Sequence, residues 1–215
     1  GTNKYELGGS VTINDGTVDA RSGFGRGIGG GHTGSGTGGT VTVTINGGTV
    51  TATYTDIPYR NYGGGIGGVC CGSTGDGGDA YVTITGGTVT AVSNEYNGIG
   101  GGMAYQGYAG DGYVTITGGT VIATSIEDFG IGGGILKDVD MGYGADGSCT
   151  FLTDNGNAVI FASSIADQSG KTSGVWSGII FEGDSGAIYG SSATPIEEFT
   201  IQEGKLWMLQ TRVGK

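Results

Sequence analysis

The strongest constraint in this sequence is a ten-residue block that occurs four times. It reads VTINDGTVDA at Val11–Ala20 and returns with small changes at Val43–Ala52, Val82–Ala91 and Val114–Ala123, so the starts are 32, 39 and 32 residues apart. A second block, Gly-Ile-Gly-Gly, follows each copy and is centred on Ile28, Ile66, Ile99 and Ile131. Such a period is typical of a stacked repeat array, in which one unit is too small to bury its own apolar face.

Apolar residues alternate with threonine inside each block. In the third copy Val82, Ile84, Val89 and Ala91 belong to one side of a strand and the threonines between them to the other. The Gly-Gly pair between the two runs is a turn signal, because glycine adopts positive φ without steric cost. Each unit therefore predicts two short strands and a third, glycine-rich strand around the isoleucine.

Stacking of such units predicts an all-β fold, a right-handed parallel β-helix with about 32 residues per coil, the spacing of the blocks. Val, Ile and Ala should point into the bore, and Thr, Tyr and Asp should point outward. A sandwich of hairpins is the structural alternative, but it predicts single strands about 8–12 residues apart and no repeat of this length.

Glycine is unevenly distributed between two regions of the chain. Of the 52 glycines, 43 lie in residues 1–150 and 9 in residues 151–215. Residues 1–150 are therefore assigned to the glycine-rich repeats. Residues 151–215, with stronger apolar runs, are assigned to C-terminal coils and a less regular cap of the same solenoid, because a repeat array needs an atypical terminal unit.

The charge balance excludes several classes of partner. The chain carries a net charge of −11, and residues 61–136 contain neither Lys nor Arg. Such a surface repels phosphate backbones, which argues against nucleic-acid binding. No apolar run approaches the ~20 residues that span a bilayer, so no membrane insertion is expected. Cations and neutral polymers remain as partners.

Three acidic residues are predicted to occupy one position of the repeat. Asp79, Asp111 and Asp146 each stand three residues before an apolar strand residue (Val82, Val114 and Cys149), and Asp76 lies nearby. Equivalent residues on successive coils lie ~4.8 Å apart. These four carboxylates are candidates either for a solvated turn or for a Ca²⁺ site, since Ca²⁺ takes several oxygen ligands. No other cofactor is expected.

Tyrosines also recur in the repeats. Tyr62 and Tyr96 precede a Gly-Ile-Gly block, and Tyr81 and Tyr113 occupy one strand position. Tyrosine combines a flat apolar face with a polar tip, which suits stacking on a sugar ring. We expect these four tyrosines to bind an extended polysaccharide or cell-surface glycan, beside Asp79 and Asp111.

Two alternative functions remain open. Glycoside hydrolysis needs only two carboxylates, and the candidates are Asp79, Asp111, Asp146, Glu182 and Asp184. Outward Thr-x-Thr pairs suit an ice-binding surface, and these are Thr42/Thr44, Thr51/Thr53, Thr83/Thr85 and Thr115/Thr117. We expect a binding or adhesion module rather than an enzyme, because the uneven period argues against one flat threonine face and no nucleophile has a basic partner nearby in sequence.

Longer segments resemble known proteins. The VTITGGTVTA and GIGGG blocks and the segment Asn157–Ser191 resemble the glycine-rich repeats of large secreted surface proteins of anaerobic, gut-type bacteria, over about residues 10–195. That resemblance implies an extracellular β-helical region at a bacterial cell surface and no particular activity. Residues 196–212 are similar to a stretch of pyruvate phosphate dikinase, where the equivalents of Gln210 and Arg212 help to hold nucleotide. Nothing else in the chain resembles an ATP-grasp domain, so a capping strand pair is expected there.

Overall fold

The computed structural model describes residues 8–54, 63–138, 144–153, 157–166, 178–182, 185–189 and 195–200. Beyond residue 166, what it describes is the backbone of three strands and the burial of Ile180. Within these ranges the chain forms strands, turns and irregular segments and no helix. The predicted all-β parallel solenoid is confirmed.

Four sheets run along the solenoid, and in its parallel part each takes one strand from successive coils. The first sheet contains β1 (Gly9–Ile13), β5 (Val41–Ile45), β9 (Ala80–Ile84), β12 (Gly112–Ile116) and β15 (Cys149–Thr153). The second contains β2 (Thr17–Ser22), β6 (Thr49–Tyr54), β10 (Thr88–Ser93), β13 (Gly119–Ser125), β16 (Ala158–Ala162), β17 (Gly178–Glu182), β18 (Ser185–Tyr189) and β19 (Pro195–Thr200).

The two remaining sheets are built from shorter strands. The third contains β3 (Gly25–Gly29), β7 (Gly63–Gly67), β11 (Ile99–Gly100) and β14 (Ile131–Gly132). The fourth contains β4 (His32–Thr33) and β8 (Cys70–Cys71), and single bridges extend it through Ala104 and Leu136. One coil thus passes through all four sheets before the next begins.

The register between coils places equivalent residues directly above one another. Val11 pairs with Val43, Val43 with Val82, Val82 with Val114, and Val114 with Phe151, so successive coils advance by 32, 39, 32 and 37 residues. The extra residues of the longer coils lie between strands, so the pairing inside the strands is unchanged.

The core consists of columns of apolar side chains that run along the bore. The columns are Val11, Val43, Val82, Val114, Phe151; Ile13, Ile45, Ile84, Ile116; Val18, Val50, Val89, Val121, Ile160; Ala20, Ala52, Ala91, Ala123, Ala162; and Ile28, Ile66, Ile99, Ile131, Ile165. From the second coil onward these side chains are buried. The predicted inward direction of Val, Ile and Ala is therefore confirmed.

The parallel winding ends within the second sheet. β16 pairs in parallel with β17, but β17 with β18 and β18 with β19 pair antiparallel. Residues 195–200, part of the region assigned to C-terminal coils and a cap, form the last antiparallel strand, and residues 201–215 lie outside the described residues.

The turn between the first two sheets requires glycine for two separate reasons. Gly16, Gly48, Gly87 and Gly119 have φ between 82° and 96°, the left-handed region that favours glycine. The residue before each of the last three is also glycine, and a Cβ on Gly47 or Gly86 would meet a carbonyl oxygen of the preceding coil at 2.8 or 2.7 Å. In the first coil, where no described residue stacks beneath, Asp15 occupies that position.

We expect Gly87→Ala to destabilise the protein by about 2 kcal/mol or more, since an L-residue in the left-handed region costs about 1–2 kcal/mol and its Cβ would also strike the backbone of Gly47 and Gly48. Gly34→Ala is the control, because a Cβ there has nothing within 4 Å and its φ is outside that region. It should change stability by less than about 0.5 kcal/mol. Urea unfolding measured by circular dichroism compares them, and equal losses would contradict the turn requirement.

Candidate functional site

The outer side of the first sheet carries the two recurring tyrosines and two of the recurring aspartates. Tyr81 pairs with Tyr113 across β9 and β12, and Thr83 pairs with Thr115. Asp79 and Asp111 stand two positions before the tyrosines and therefore belong to the same side of the strand. We call the set Asp79, Tyr81, Thr83, Asp111, Tyr113 and Thr115 the tyrosine face.

The two tyrosine rings stack on each other. Their centroids are 4.5 Å apart and their planes differ by 9°. Tyr81 is 44% exposed, and Tyr113 is half-buried. Since the rings stack along the direction in which coils succeed one another, the outer surface of Tyr81 faces the position of Thr42, which is exposed. One face of each ring is thus occupied by the other ring, and Tyr81 offers its remaining face beside a small neighbour.

Backbone hydrogen bonds hold the two carboxylates in place. Asp79 Oδ1 accepts the N–H of Asp111 at 2.8 Å, and Asp111 Oδ1 accepts the N–H of Ser148 at 2.7 Å. The Tyr113 hydroxyl donates to Asp111 Oδ2 at 3.3 Å. Loss of hydration raises the pKa of the Tyr113 phenol, and the negative charge of Asp111 acts in the same direction. The phenol therefore stays protonated and remains a hydrogen-bond donor at neutral pH.

The prediction that Asp146 shares the position of Asp79 and Asp111 is wrong. Cys149 pairs with Gly112 rather than with Val114, so Ser148 lies beside Asp111. Asp146 instead accepts the N–H of Leu136 at 2.7 Å. The fourth step of the solenoid is 37 residues, whereas alignment of Cys149 with Val114 implies a step of 35, so counting back from Cys149 gave the wrong register.

The predicted calcium ligands do not converge. Asp76 accepts the N–H of Tyr108 at 2.9 Å, and Asp79, Asp111 and Asp146 each accept a different backbone N–H. In the part of the chain that the structure describes, no three His, Cys, Asp or Glu side chains come together as a metal site would require. The four carboxylates act there as acceptors for neighbouring turns.

Tyr96 does not join the tyrosine face. Its side chain is 1% exposed and packs in a small cluster with Cys70 and Met103, so it has no ring face to offer a ligand, and its predicted role is wrong.

Tyr62 and Asp184 lie outside the described residues, and of Glu182 only the backbone, at the end of β17, is described. The four threonine pairs do not lie on one sheet. Thr51 and Thr53 lie in β6 of the second sheet, whereas the other three pairs lie in, or directly after, strands of the first sheet.

A buried polar cluster was not anticipated from the sequence. Arg26 is 5% exposed, and its Nη1 donates to Asn97 Oδ1 at 2.7 Å and to the Asn97 carbonyl at 3.0 Å. Its Nε and Nη2 donate to the carbonyls of Gly68 and Gly101. A Cβ on Gly64 would collide with the guanidinium. The only sign of this cluster in the sequence is that Arg26, a basic residue, lies in a strand at the position that Gly64 occupies in the next coil.

Asp128 borders this cluster. Its Oδ2 atom is buried and has no hydrogen-bond partner among the described residues. Burial raises the pKa of its carboxyl to about 7, and the charge of Asp146 acts in the same direction, whereas backbone hydrogen bonds and Arg26 oppose it. Asp128 is therefore partly protonated near neutral pH.

The cysteines are all free and buried. Burial raises the pKa of the Cys149 thiol to about 12, and Asp111 acts in the same direction, so this thiol remains protonated. Burial lowers the pKa of His32. His32 packs edge-on against the Phe24 ring at 5.6 Å. These surroundings are those of packed side chains.

Comparison with known families agrees with this architecture. The family model described as beta helix repeat matches residues 11–32, 43–73, 82–103 and 114–135. Each match begins at an inward valine of the first sheet and extends through the glycine-rich third sheet. The chain is a beta helix repeat protein.

No curated protein and no solved structure matches this beta helix repeat protein. Among its described residues there is no helix of the length and hydropathy that a bilayer crossing requires. The family assignment establishes the repeat fold of the chain.

We expect Asp128→Asn to stabilise the protein increasingly as pH rises. In the unfolded chain the carboxyl ionises near pH 4, whereas in the folded chain it holds its proton until about pH 7. Wild-type stability should therefore fall between pH 4 and pH 7 and then level off. The gain from the substitution should be on the order of 2–4 kcal/mol at pH 8 and should vanish near pH 4.

Urea unfolding at pH 4, 6 and 8 measures this difference. Glu127→Gln is the matched control, since it removes one acidic charge from the exposed neighbouring residue. A pH-independent effect of Asp128→Asn, or the same pH profile for both variants, would show that the buried carboxyl does not titrate as described.

Proposed function

We propose that the protein is an extracellular carbohydrate-binding and adhesion module of a bacterial cell surface, which binds polysaccharide on the tyrosine face. One observation carries the proposal: two tyrosines stack in register beside two fixed carboxylates on an exposed side of a rigid sheet. The resemblance of the repeats to secreted bacterial surface proteins supports the location.

The binding mode follows from the ring geometry. A sugar ring packs its C–H face against the free face of Tyr81, above Thr42, where a small side chain leaves room. The carboxylates of Asp79 and Asp111, held by backbone N–H groups, accept hydrogen bonds from sugar hydroxyls. The hydroxyls of Thr83 and Thr115 continue the polar row on the same side of the sheet.

The charge of the surroundings selects among glycans. Residues 61–136 contain no Lys or Arg to pair with a uronate or sulfate, and the carboxylates of the face repel both. A neutral polysaccharide, or one with amino groups, is therefore favoured over an acidic one.

Hydrolysis is the less favoured alternative. Glycosidases place two carboxylates on opposite sides of the scissile bond. Asp79 and Asp111 instead stand side by side, each directly before one of two adjacent strands, and Asp111 accepts a hydrogen bond from Tyr113. This arrangement lines one side of a bound polymer and does not flank a glycosidic bond.

We expect Tyr81→Ala to weaken retention on an insoluble polysaccharide by roughly tenfold. The substitution removes the apolar ring face on which the sugar packs, and it also removes the stacking of Tyr81 on Tyr113, an aromatic contact worth about 0.5–1.5 kcal/mol that orders the site. The measurement is depletion from solution by a panel of neutral, amino-containing and acidic polysaccharides. Tyr108→Ala is the control, because Tyr108 is 64% exposed but lies outside the tyrosine face.

Two results would overturn the proposal. Equal retention of the Tyr81 and Tyr108 variants would place binding elsewhere, and no retention on any polysaccharide would remove the binding function. New reducing ends during incubation would establish the hydrolase instead.

A further inference from the structure

The orientation of the stacked tyrosine rings restricts the direction in which a polymer can lie on the tyrosine face. The centroids of Tyr81 and Tyr113 are 4.5 Å apart and their planes differ by 9°. Parallel rings this close are separated mostly along their common normal, because van der Waals contact keeps the two planes apart. Since Tyr81 and Tyr113 pair between successive coils, that normal points mainly along the solenoid axis. The ring planes therefore stand across the axis, roughly parallel to the strands.

A row of polar side chains lies beside the free face of Tyr81. Thr42, Thr44 and Asn46 alternate along β5 and the residue after it, so they belong to the outer side of the second coil. Thr42 stands directly opposite Tyr81, and Thr44 stands opposite Thr83. All three members of the row are exposed or half-buried, and they span about 13 Å along the strand. We call Thr42, Thr44 and Asn46 the β5 row.

The two ends of the tyrosine stack differ in exposure. Tyr81 is 44% exposed, whereas Tyr113 is half-buried. Thr42, beside Tyr81, is exposed, whereas Thr150, beside Tyr113, is half-buried and is followed on the same side of its strand by the larger Leu152. A sugar ring therefore has more room at the Tyr81 end, above the β5 row.

Hydrogen bonds fix the amide at the far end of this row. Asn46 Nδ2 donates to Asn14 Oδ1 at 2.9 Å, and Asn46 Oδ1 accepts a hydrogen bond from Thr85 Oγ1 at 3.0 Å. The amide is thereby held on the outer side of the sheet, in line with the hydroxyls of Thr42 and Thr44. Polar contacts thus continue along the strand, away from the tyrosine ring.

Packing on a ring face also restricts the linkage of the polymer. A pyranose packed flat on Tyr81 has its ring plane parallel to the tyrosine ring and therefore across the solenoid axis. Equatorial linkages keep the next sugar close to that plane, so the chain continues over Thr44. An axial linkage leaves the plane and turns the chain against the Tyr81 ring or away from the row. Equatorial hydroxyls also leave axial C–H groups on the sugar face that contacts the tyrosine.

We propose that the bound polymer lies along the β5 row, parallel to the strands, and that it is a linear polysaccharide with equatorial linkages, as in cellulose and chitin. This inference rests on the proposed carbohydrate-binding function and assigns the substrate class of the same site. Thr42 is then the residue that determines access, because its small side chain leaves the outer face of Tyr81 open.

Substitutions at the two ends of the stack test the direction of the polymer. Thr42→Tyr adds a ring over the free face of Tyr81, so retention on insoluble cellulose or chitin should fall to about the level of the Tyr81→Ala variant. Thr150→Tyr is the matched control, because it adds a ring at the Tyr113 end and leaves the Tyr81 face open. A polymer lying along the axis would instead gain a ring edge from Thr42→Tyr. Undiminished or stronger retention of that variant would therefore overturn the proposal.

A second pair of substitutions tests the path along β5. Thr44 and Thr115 are both half-buried and pair with Thr83 from opposite sides. Thr44→Tyr places a ring in the path of the polymer and should weaken retention, whereas Thr115→Tyr should not. Equal effects of the two would overturn the assigned path. Thermal unfolding followed by circular dichroism separates a loss of binding from a loss of fold in each variant.

The choice of polysaccharide tests the linkage and separates this proposal from the broader one. The wild-type protein should be retained on cellulose or chitin and not on insoluble starch, in which one bond of each linkage is axial. Equal or stronger retention on starch that is lost in Tyr81→Ala would overturn the linkage but support carbohydrate binding on the tyrosine face. No retention on any polysaccharide would overturn both proposals.

Discussion

The register between successive coils is the constraint on which the rest of the structure depends. Ile45, Ile84 and Ile116 lie one above another and are all fully buried, and the other inward columns repeat this arrangement. A slip of one residue would turn a whole column outward, so burial of the core fixes the register strongly. The same register then aligns the outer rows, and Tyr81 meets Tyr113 because Val82 meets Val114.

Glycine serves this packing at the third sheet, where the strands leave no room for side chains on one side. A Cβ on Gly100 would collide with the Gly132 carbonyl oxygen, and one on Gly67 with the Gly100 carbonyl oxygen. The space without side chains also admits the one buried cation, that of Arg26, within the described residues. Its burial would be costly alone, but four hydrogen bonds to carbonyl and amide oxygens offset much of the lost hydration.

The residues whose placement could be predicted from the sequence are those for which two patterns agree, the alternation of apolar and polar residues along a strand and the repeat of the blocks. Tyr81 and Tyr113 lie inside strands, where period two sets the direction of each side chain and the repeat sets its neighbour. Tyr96 lies between β10 and β11, where the backbone turns and alternation no longer gives a direction. Asp146 follows an insertion, and the length of an insertion does not show between which paired residues the extra residues lie.

Arg26 could not be placed by the same reasoning. It occurs once, so repetition offers no comparison, and a lone arginine in a surface repeat is normally solvated. Only the neighbouring coils explain its burial, because Gly64 leaves the space that the guanidinium fills and Asn97 supplies an acceptor. Features that depend on three coils at once are not visible in the sequence of any one of them.

In the proposed carbohydrate-binding role, the stacked tyrosines also limit how tightly a single module can hold a sugar. Each ring already covers one face of the other, so a polysaccharide gains a full ring contact mainly at Tyr81. Such a contact is weak by itself, and the rigid sheet adds to it only by avoiding the entropy cost of ordering the site. Adhesion to a long polymer tolerates weak sites when several act together, because the second contact forms at a high effective concentration.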